Sequence, residues 1–254
     1  MSATETLVEA LVALADSAGK VILDLYGKVE ARQKDDRSPV TAADEAAERV
    51  ILEGLARATP EIPVVAEEAV ARGAAPEAVG RRFWLVDPLD GTKEFLSRNG
   101  EFTVNVALVE DGVPTLAVVG APAKEVLYAT DGRTAWVRRG AGERRAIRAR
   151  RPSEEGLVVA VSRSHRDAET DAYLEGVRIA GEQVGGSSLK FCLVAEGAAD
   201  LYPRFGRTME WDTAAGHAVL RAAGGSVRTV EGVELGYGKP GFENPSFIAR
   251  GLDG

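Results

Sequence analysis

Between Phe102 and Arg138 apolar residues recur with a period of two, and Asp-Gly pairs at 111–112 and 131–132 punctuate the pattern. No other feature constrains the fold as strongly. Phe102, Val104, Val106 and Leu108 alternate with Thr103, Asn105, Ala107 and Val109. Successive residues of a strand face opposite sides, so this run supplies side chains to both faces of a sheet. Asp111-Gly112 and Asp131-Gly132 are turn dipeptides that close hairpins. Further strands are therefore predicted over 113–120, 125–130 and 134–138, in an antiparallel meander.

The flanks differ in style. Leu7, Leu11, Leu14, Ala18, Ile22 and Leu25 recur at spacings of three and four, which predicts a helix over 5–26 ending at Gly27. Lys34 to Pro39 reads as a loop. A second helix starts near Thr41, where Thr41 and Asp44 have the spacing of a capping box with Asp in place of Glu. Short strands are predicted over 62–66 and 82–86. Beyond residue 151, strands at 157–162, near 178–184 and through Leu201-Tyr202 alternate with helices at 167–176, 188–199 and 212–223. This divides the chain into an α+β lobe, 1–150, with the antiparallel sheet, and a smaller α/β lobe, 151–254.

Composition removes several function classes. With 45% hydrophobic residues in 254, the chain is neither disordered nor collagen-like. Its apolar runs, such as Leu157 to Val161, fall far short of the roughly 18 residues that span a bilayer. No basic and then apolar leader pattern opens the sequence, so no signal peptide is expected. A net charge of −8 argues against a nucleic-acid partner. The single cysteine, Cys192, cannot form an intrachain disulfide and reads as a small core residue. That usage fits a cytoplasmic protein, with peripheral attachment to the inner membrane also compatible. With only His165 and His217 available, a Cys/His zinc site is not expected. Seven arginines between Arg138 and Arg151 read as the solvated rim of a hairpin, or as weak steering for an anionic ligand.

The chemistry concentrates in acids. Trp84-Leu85-Val86 forms an apolar strand that delivers Asp87, and Pro88 sets a turn that brings Asp90 back toward it. Gly91 permits close backbone approach, and Thr92 is placed to cap a following helix. Two carboxylates held this close repel, and a hard cation such as Mg²⁺ relieves the repulsion. Free amides near Thr92 suit a phosphate. Glu67 and Glu68 follow the 62–66 strand, and Asp212 precedes an alanine-rich helix. Each has a plainer reading: solvated loop acids for the glutamates, an N-cap for Asp212. No Gly-x-Ser-x-Gly elbow occurs, and Gly238-Lys239-Pro240 lacks the spacing of a phosphate-binding Walker loop.

Glu67-Glu68, Asp87-Pro88-Leu89-Asp90-Gly91-Thr92 and Trp211-Asp212 occur in the order found in the inositol monophosphatase superfamily of lithium-sensitive, metal-dependent phosphatases, which the chain resembles from about residue 5 to 249. Lys93-Glu94-Phe95, Asn99 to Asn105, Gly186 to Gly197 and Leu201 to Gly206 make it most similar to the 3'(2'),5'-bisphosphate nucleotidase branch. The resemblance implies a layered αβαβα sugar-phosphatase fold. It implies two Mg²⁺ ions, one on Glu67, Asp87 and the Leu89 carbonyl, the other on Asp87, Asp90 and Asp212, with a third, weaker ion at Glu67. Asp44 and Thr92 would orient the attacking water, with Glu67 as their catalytic partner. The Gly91 and Thr92 amides would meet the scissile phosphate. Ser187, Ser188, Lys190 and Arg204 would contact the nucleotide, and Ser162 to His165 would lie near the adenine. The implied substrate is a small-molecule nucleotide bisphosphate, adenosine 3',5'-bisphosphate, a by-product of sulfate assimilation. Inositol monophosphate or a sugar bisphosphate is the alternative within the same chemistry. A nucleotide-binding regulator without turnover is the alternative outside it.

Overall fold

The computed structural model describes residues 2–34, 39–76, 79–162 and 168–252. The N-terminal helix α1 covers Ala3–Leu25, and Ser2 and Glu5 close a capping box at its start. A two-residue ladder, β1 (Arg32–Gln33) with β2 (Pro39–Val40), leads into α2 (Ala42–Ala58). The predicted box is present at that helix: Asp44 accepts from the Thr41 amide, and Thr41 accepts from Ala43.

Seven strands form the larger sheet: β3 (Val64–Ala66), β4 (Arg82–Asp90), β5 (Thr103–Glu110), β6 (Val113–Ala121), β7 (Val126–Thr130), β8 (Ala135–Arg139) and β9 (Arg145–Ile147). Their order in space is their order in sequence. From β4 to β9 every pairing is antiparallel, as the meander pattern predicts. Two short helices, α3 (Glu67–Ala71) and α4 (Thr92–Leu96), leave the ends of β3 and β4. The remainder comprises β10 (Leu157–Ser162), α5 (Ala168–Glu175), β11 (Ile179–Gly185), α6 (Leu189–Ala195), β12 (Leu201–Arg204), α7 (Glu210–Ala222), β13 (Ser226–Thr229) and β14 (Phe247–Arg250). Its five strands form a second sheet in the order β11-β10-β12-β14-β13.

Period-two burial stacks these elements into five layers. Trp84, Val86, Val104, Val106, Leu108 and Val118 point to one face of the large sheet, against Leu11, Ile22, Ile51 and Leu55 of α1 and α2. Phe83, Leu85, Ala107, Val109 and Val119 point to the other face, against α6 and α7. The same core continues through Phe191 to Tyr202 and Phe247 of the small sheet. Val159, Val161, Leu201 and Ile248 on its far side meet Leu174 of α5. The order is helices, sheet, helices, sheet, helix: the αβαβα arrangement.

Several boundaries differ from the sequence reading. The strand expected to stop at Val86 runs through Asp90, with a register shift between Asp87 and Asp90. The acids are thus joined by a bulge, which adds a residue without ending the pairing, and not by a turn. The helix expected from 212 starts at Glu210, which puts Asp212 inside its first turn. The helix expected to reach 199 ends at Ala195, two residues before left-handed Gly197. Strands β9, β13 and β14 were not anticipated. The arginine-rich segment is less free than a solvated rim. Arg138 pairs with Asp16, Arg139 with Glu196, Arg144 with Glu9 and Arg150 with Asp200, each acid on another part of the fold.

Close packing in the middle layer rests on Gly216 of α7. A β-carbon there would lie 2.5–2.7 Å from three atoms of Phe191. Gly216→Ala gains up to about 1 kcal/mol of helix propensity, but overpacking costs about 1–3 kcal/mol. Because the contact involves the ring's root as well as its edge, overpacking should win. Urea unfolding is expected to show a net loss of up to about 2 kcal/mol.

Candidate active site

The site lies where the C-terminal end of β4 meets the first turn of α7. Side-chain oxygens of Glu67, Asp87 and Asp212 all lie within 4.8 Å of one another. Asp87 is buried, and its Oδ1 accepts from the Leu89 amide at 3.0 Å, which fixes the bulge. The Leu89 side chain is buried in the core beneath α1 and α2.

Asp90 is held by three donors. Its Oδ2 accepts from the Ser188 amide at 2.8 Å, and Thr103 Oγ1 and Asn105 Nδ2 of β5 approach to 3.4 Å. Asp212 Oδ2 accepts from the Met209 amide at 2.8 Å. It is a third-position capping residue, not the N-cap. Ser188 Oγ donates to the Asp212 carbonyl at 2.7 Å, so one serine grips two of the acids. Ser187, in a left-handed conformation, places its hydroxyl 2.9 Å from the Asp90 carbonyl and 2.8 Å from that of Glu101. Gly91 has φ +90°, and a β-carbon on it would come within 2.2 Å of that hydroxyl. Glycine is required there for both conformation and space.

Electrostatics report the crowding. Loss of hydration, then repulsion from Glu67, Asp90 and Asp212, holds Asp87 well above the ordinary carboxylate range. Asp212 is raised by the same causes, with Asp90 and Glu67 as its neighbours. Asp90 is pushed up to about 6, again by desolvation first, against the attraction of Lys190. Lys190 is buried and lowered to about 8, because desolvation and nearby Arg204 outweigh the pull of Asp90. Its ammonium donates to the Ser187 carbonyl at 2.9 Å and sits 5.1 Å above the Tyr202 ring.

The predicted pair meets: Thr92 Oγ1 donates to Asp44 Oδ1 at 3.1 Å. Thr92 is the first residue of α4 and does not cap it; Gly91 holds the cap position. Glu67 and Glu68 are not solvated loop acids. They open α3, and Lys34 Nζ bridges them at 2.6 Å to each. Burial alone would lower Lys34, but the two carboxylates outweigh it and hold the ammonium charged. Glu48 of α2 accepts the Glu68 and Ala69 amides at 2.9 and 3.1 Å, anchoring the start of α3.

A cavity of about 260 Å³ opens over these groups. Glu67, Asp90, Thr92 and Asp212 line it together with Lys190, Tyr202 and Arg204. Ser162 lines it too, whereas His165 lies outside the described residues. Sequence reasoning missed Lys34, Glu48, Thr103 and Asn105. Thr103 and Asn105 carried one signal, as polar residues on an otherwise apolar strand face.

Layered architecture, clustered acids and a cation-lined cavity together define a metal-dependent phosphatase. The inositol monophosphatase family model matches residues 3–250, and the chain belongs to that family, whose members depend on metal. It is 49% identical over 247 residues to the 3'(2'),5'-bisphosphate nucleotidase CysQ of Salmonella typhimurium, covering 95% of this chain and 98% of that one. CysQ of Escherichia coli K12 is 48% identical over the same shares. Among solved structures, CysQ from Bacteroides thetaiotaomicron superposes with a TM-score of 0.81 at 38% identity, covering 97% of each chain. Inositol monophosphatase from Anabaena gives 0.77 at 26% identity, over 98% of this chain and 91% of that one.

Four mutually repelling acids make the metal-free protein the strained one. At one hundred times Kd, a divalent cation binding only the folded state adds about 2.7 kcal/mol. The melting temperature should therefore rise with Mg²⁺. Asp90→Asn, which removes one repelling charge, should melt no lower than wild type without metal and gain less on adding it. A differential scan with and without chelator measures both.

Proposed function

We propose that the chain is a Mg²⁺-dependent 3'(2'),5'-bisphosphate nucleotidase that hydrolyses adenosine 3',5'-bisphosphate to AMP and phosphate. The observation that carries the chemistry is the approach of Glu67, Asp87 and Asp212 beside Asp90, with Thr92 bonded to Asp44. Near full-length similarity to the CysQ nucleotidases supports the substrate class.

An all-oxygen donor set suits a small hard cation. Glu67, Asp87 and the Leu89 carbonyl would hold one Mg²⁺, and Asp87, Asp90 and Asp212 a second. A third, weaker ion is assigned to Glu67. When bound, the ions neutralise phosphate charge, lower the pKa of water and stabilise the leaving oxygen. The chain's own residues supply orientation. The Thr92 proton is committed to Asp44, so the Thr92 oxygen faces the cavity as an acceptor. It holds a water by one hydrogen and turns that water's lone pair toward phosphorus. The Gly91 and Thr92 amides are assigned to the scissile phosphate. Ser187, Ser188, Lys190 and Arg204 are assigned to the nucleotide and its second phosphate, and His165 to the adenine end. The two-lobe division at residue 151 belongs to the same reading, with Asp212 and the nucleotide contacts in the second lobe.

Thr92→Val keeps the shape and removes the acceptor. It should lower kcat more than it raises KM, because the water is held chiefly in the transition state. An effect on KM alone would make Thr92 a binding residue.

Substrate choice is tested with Lys190→Ala and Arg204→Ala on adenosine 3',5'-bisphosphate and on 3'-AMP. A residue that holds the second phosphate should cost the bisphosphate about 1.5–3 kcal/mol, roughly tenfold to hundredfold in kcat/KM, and 3'-AMP much less. Equal losses would assign the residue to the scissile phosphate or to the fold. Faster turnover of inositol monophosphate than of the bisphosphate would replace the proposed substrate.

A further inference from the structure

His217 and Tyr237 are buried, lie outside the cavity, and take no part in the chemistry above. His217 is on α7, and its Nδ1 lies 3.0 Å from Tyr237 Oη. Tyr237 Oη lies 3.3 Å from Thr213 Oγ1, and Thr213, beside Asp212, lines the cavity wall. Thr213 donates to the Glu210 carbonyl at 3.2 Å and accepts from Asn244 Nδ2 at 3.0 Å.

Counting protons fixes the direction of this string. A threonine hydroxyl has one proton and two acceptor sites. With its proton on the Glu210 carbonyl, Thr213 accepts from both Asn244 and Tyr237. Tyr237 then has no proton left for His217, so its oxygen accepts the Nδ1–H. The neighbours' bonds thus assign the tautomer of His217. The other ring nitrogen, Nε2, faces Glu234 at 3.4 Å. Burial and Arg221 favour the neutral ring, against the pull of Glu234, which also pairs with Arg228.

The same segment grips the rest of the turn. The Glu210 carboxylate accepts the Gly238 and Lys239 amides at 2.7 and 2.9 Å and the Lys239 ammonium at 2.7 Å. Asn244 Nδ2 also reaches the Met209 carbonyl at 2.8 Å. Bonds from 237–244 therefore hold residues 209, 210 and 213, on both sides of Asp212.

We propose that His217 and Tyr237 are positioning residues for Asp212, fixing the first turn of α7 so that its carboxylate stays in the metal centre. This rests on the reading of Asp212 as a metal ligand. Tyr237→Phe keeps the ring and removes both bonds. In the full-length protein without substrate, Mn²⁺ binding followed by electron paramagnetic resonance should weaken about tenfold, the usual scale for a lost supporting contact. The metal-free protein should still melt cooperatively, lower by the few degrees that one orphaned buried donor costs. Asparagine can present its amide where Nδ1 stood, and glutamine where Nε2 stood. His217→Asn should therefore bind Mn²⁺ nearly as wild type does, and His217→Gln should resemble Tyr237→Phe. Wild-type affinity in Tyr237→Phe, or equal behaviour of the two His217 variants, overturns the proposal. So does the same loss of affinity in a variant destabilised equally at a position remote from Asp212. Asp212→Asn separates the two readings. If it binds Mn²⁺ normally, the ligand assignment fails and this inference with it. If it alone loses affinity, only the positioning role fails.

Discussion

Mutual repulsion among Glu67, Asp87, Asp90 and Asp212 is the constraint around which the molecule is arranged. Like charges at this separation, partly removed from water, do not stay together unaided. Their backbones must be fixed by interactions stronger than the repulsion. Asp87 and Asp90 are rooted in a nine-residue strand whose side chains are almost all buried. Asp212 is rooted in a helix packed between two sheets. The serine pair at 187–188 ties these two supports together through backbone and hydroxyl bonds. The acids are therefore held close before any cation arrives, which is the meaning of a preorganised site.

Cations of the chain itself moderate this charge without filling the centre. Lys34 bridges Glu67 and Glu68 at one edge, and Lys190 lies beneath Asp90 at another. Lys190 is fastened to backbone carbonyls and an aromatic face, which suits a buried ammonium better than an open cavity would. The cavity is thus lined by anionic oxygen and basic groups side by side.

Much of this was legible from residues alone, because the strongest signals were local. The meander showed in the alternation after Phe102 and its two Asp-Gly turns. The four acids and the Thr92–Asp44 pair showed in short motifs whose order could be matched to a family. What escaped was non-local or short. Lys34 meets glutamates more than thirty residues away, and Glu48 supports a helix twenty residues on. Neither contact leaves a pattern in its own neighbourhood. Strands β13 and β14 have four residues each, and β14 also pairs back to β12, so period and turn chemistry had little to register. The bulge at Asp87–Asp90 read as a turn because proline and glycine mark both.

The middle layer has a consequence for synthesis. Helices α6 and α7 fill the space between the sheets, yet they occupy residues 189–222, late in the chain. A ribosome that has released the large sheet, complete by residue 147, has exposed one whole apolar face with nothing yet to cover it. Phe83, Leu85, Val109 and Val119 must stay in water, or under a chaperone, until about seventy-five more residues emerge. At about 5–20 residues per second that interval lasts roughly four to fifteen seconds. The nascent chain is therefore most prone to aggregate between the release of residue 147 and that of residue 222, and the acid that completes the cluster arrives on the helix that ends the exposure.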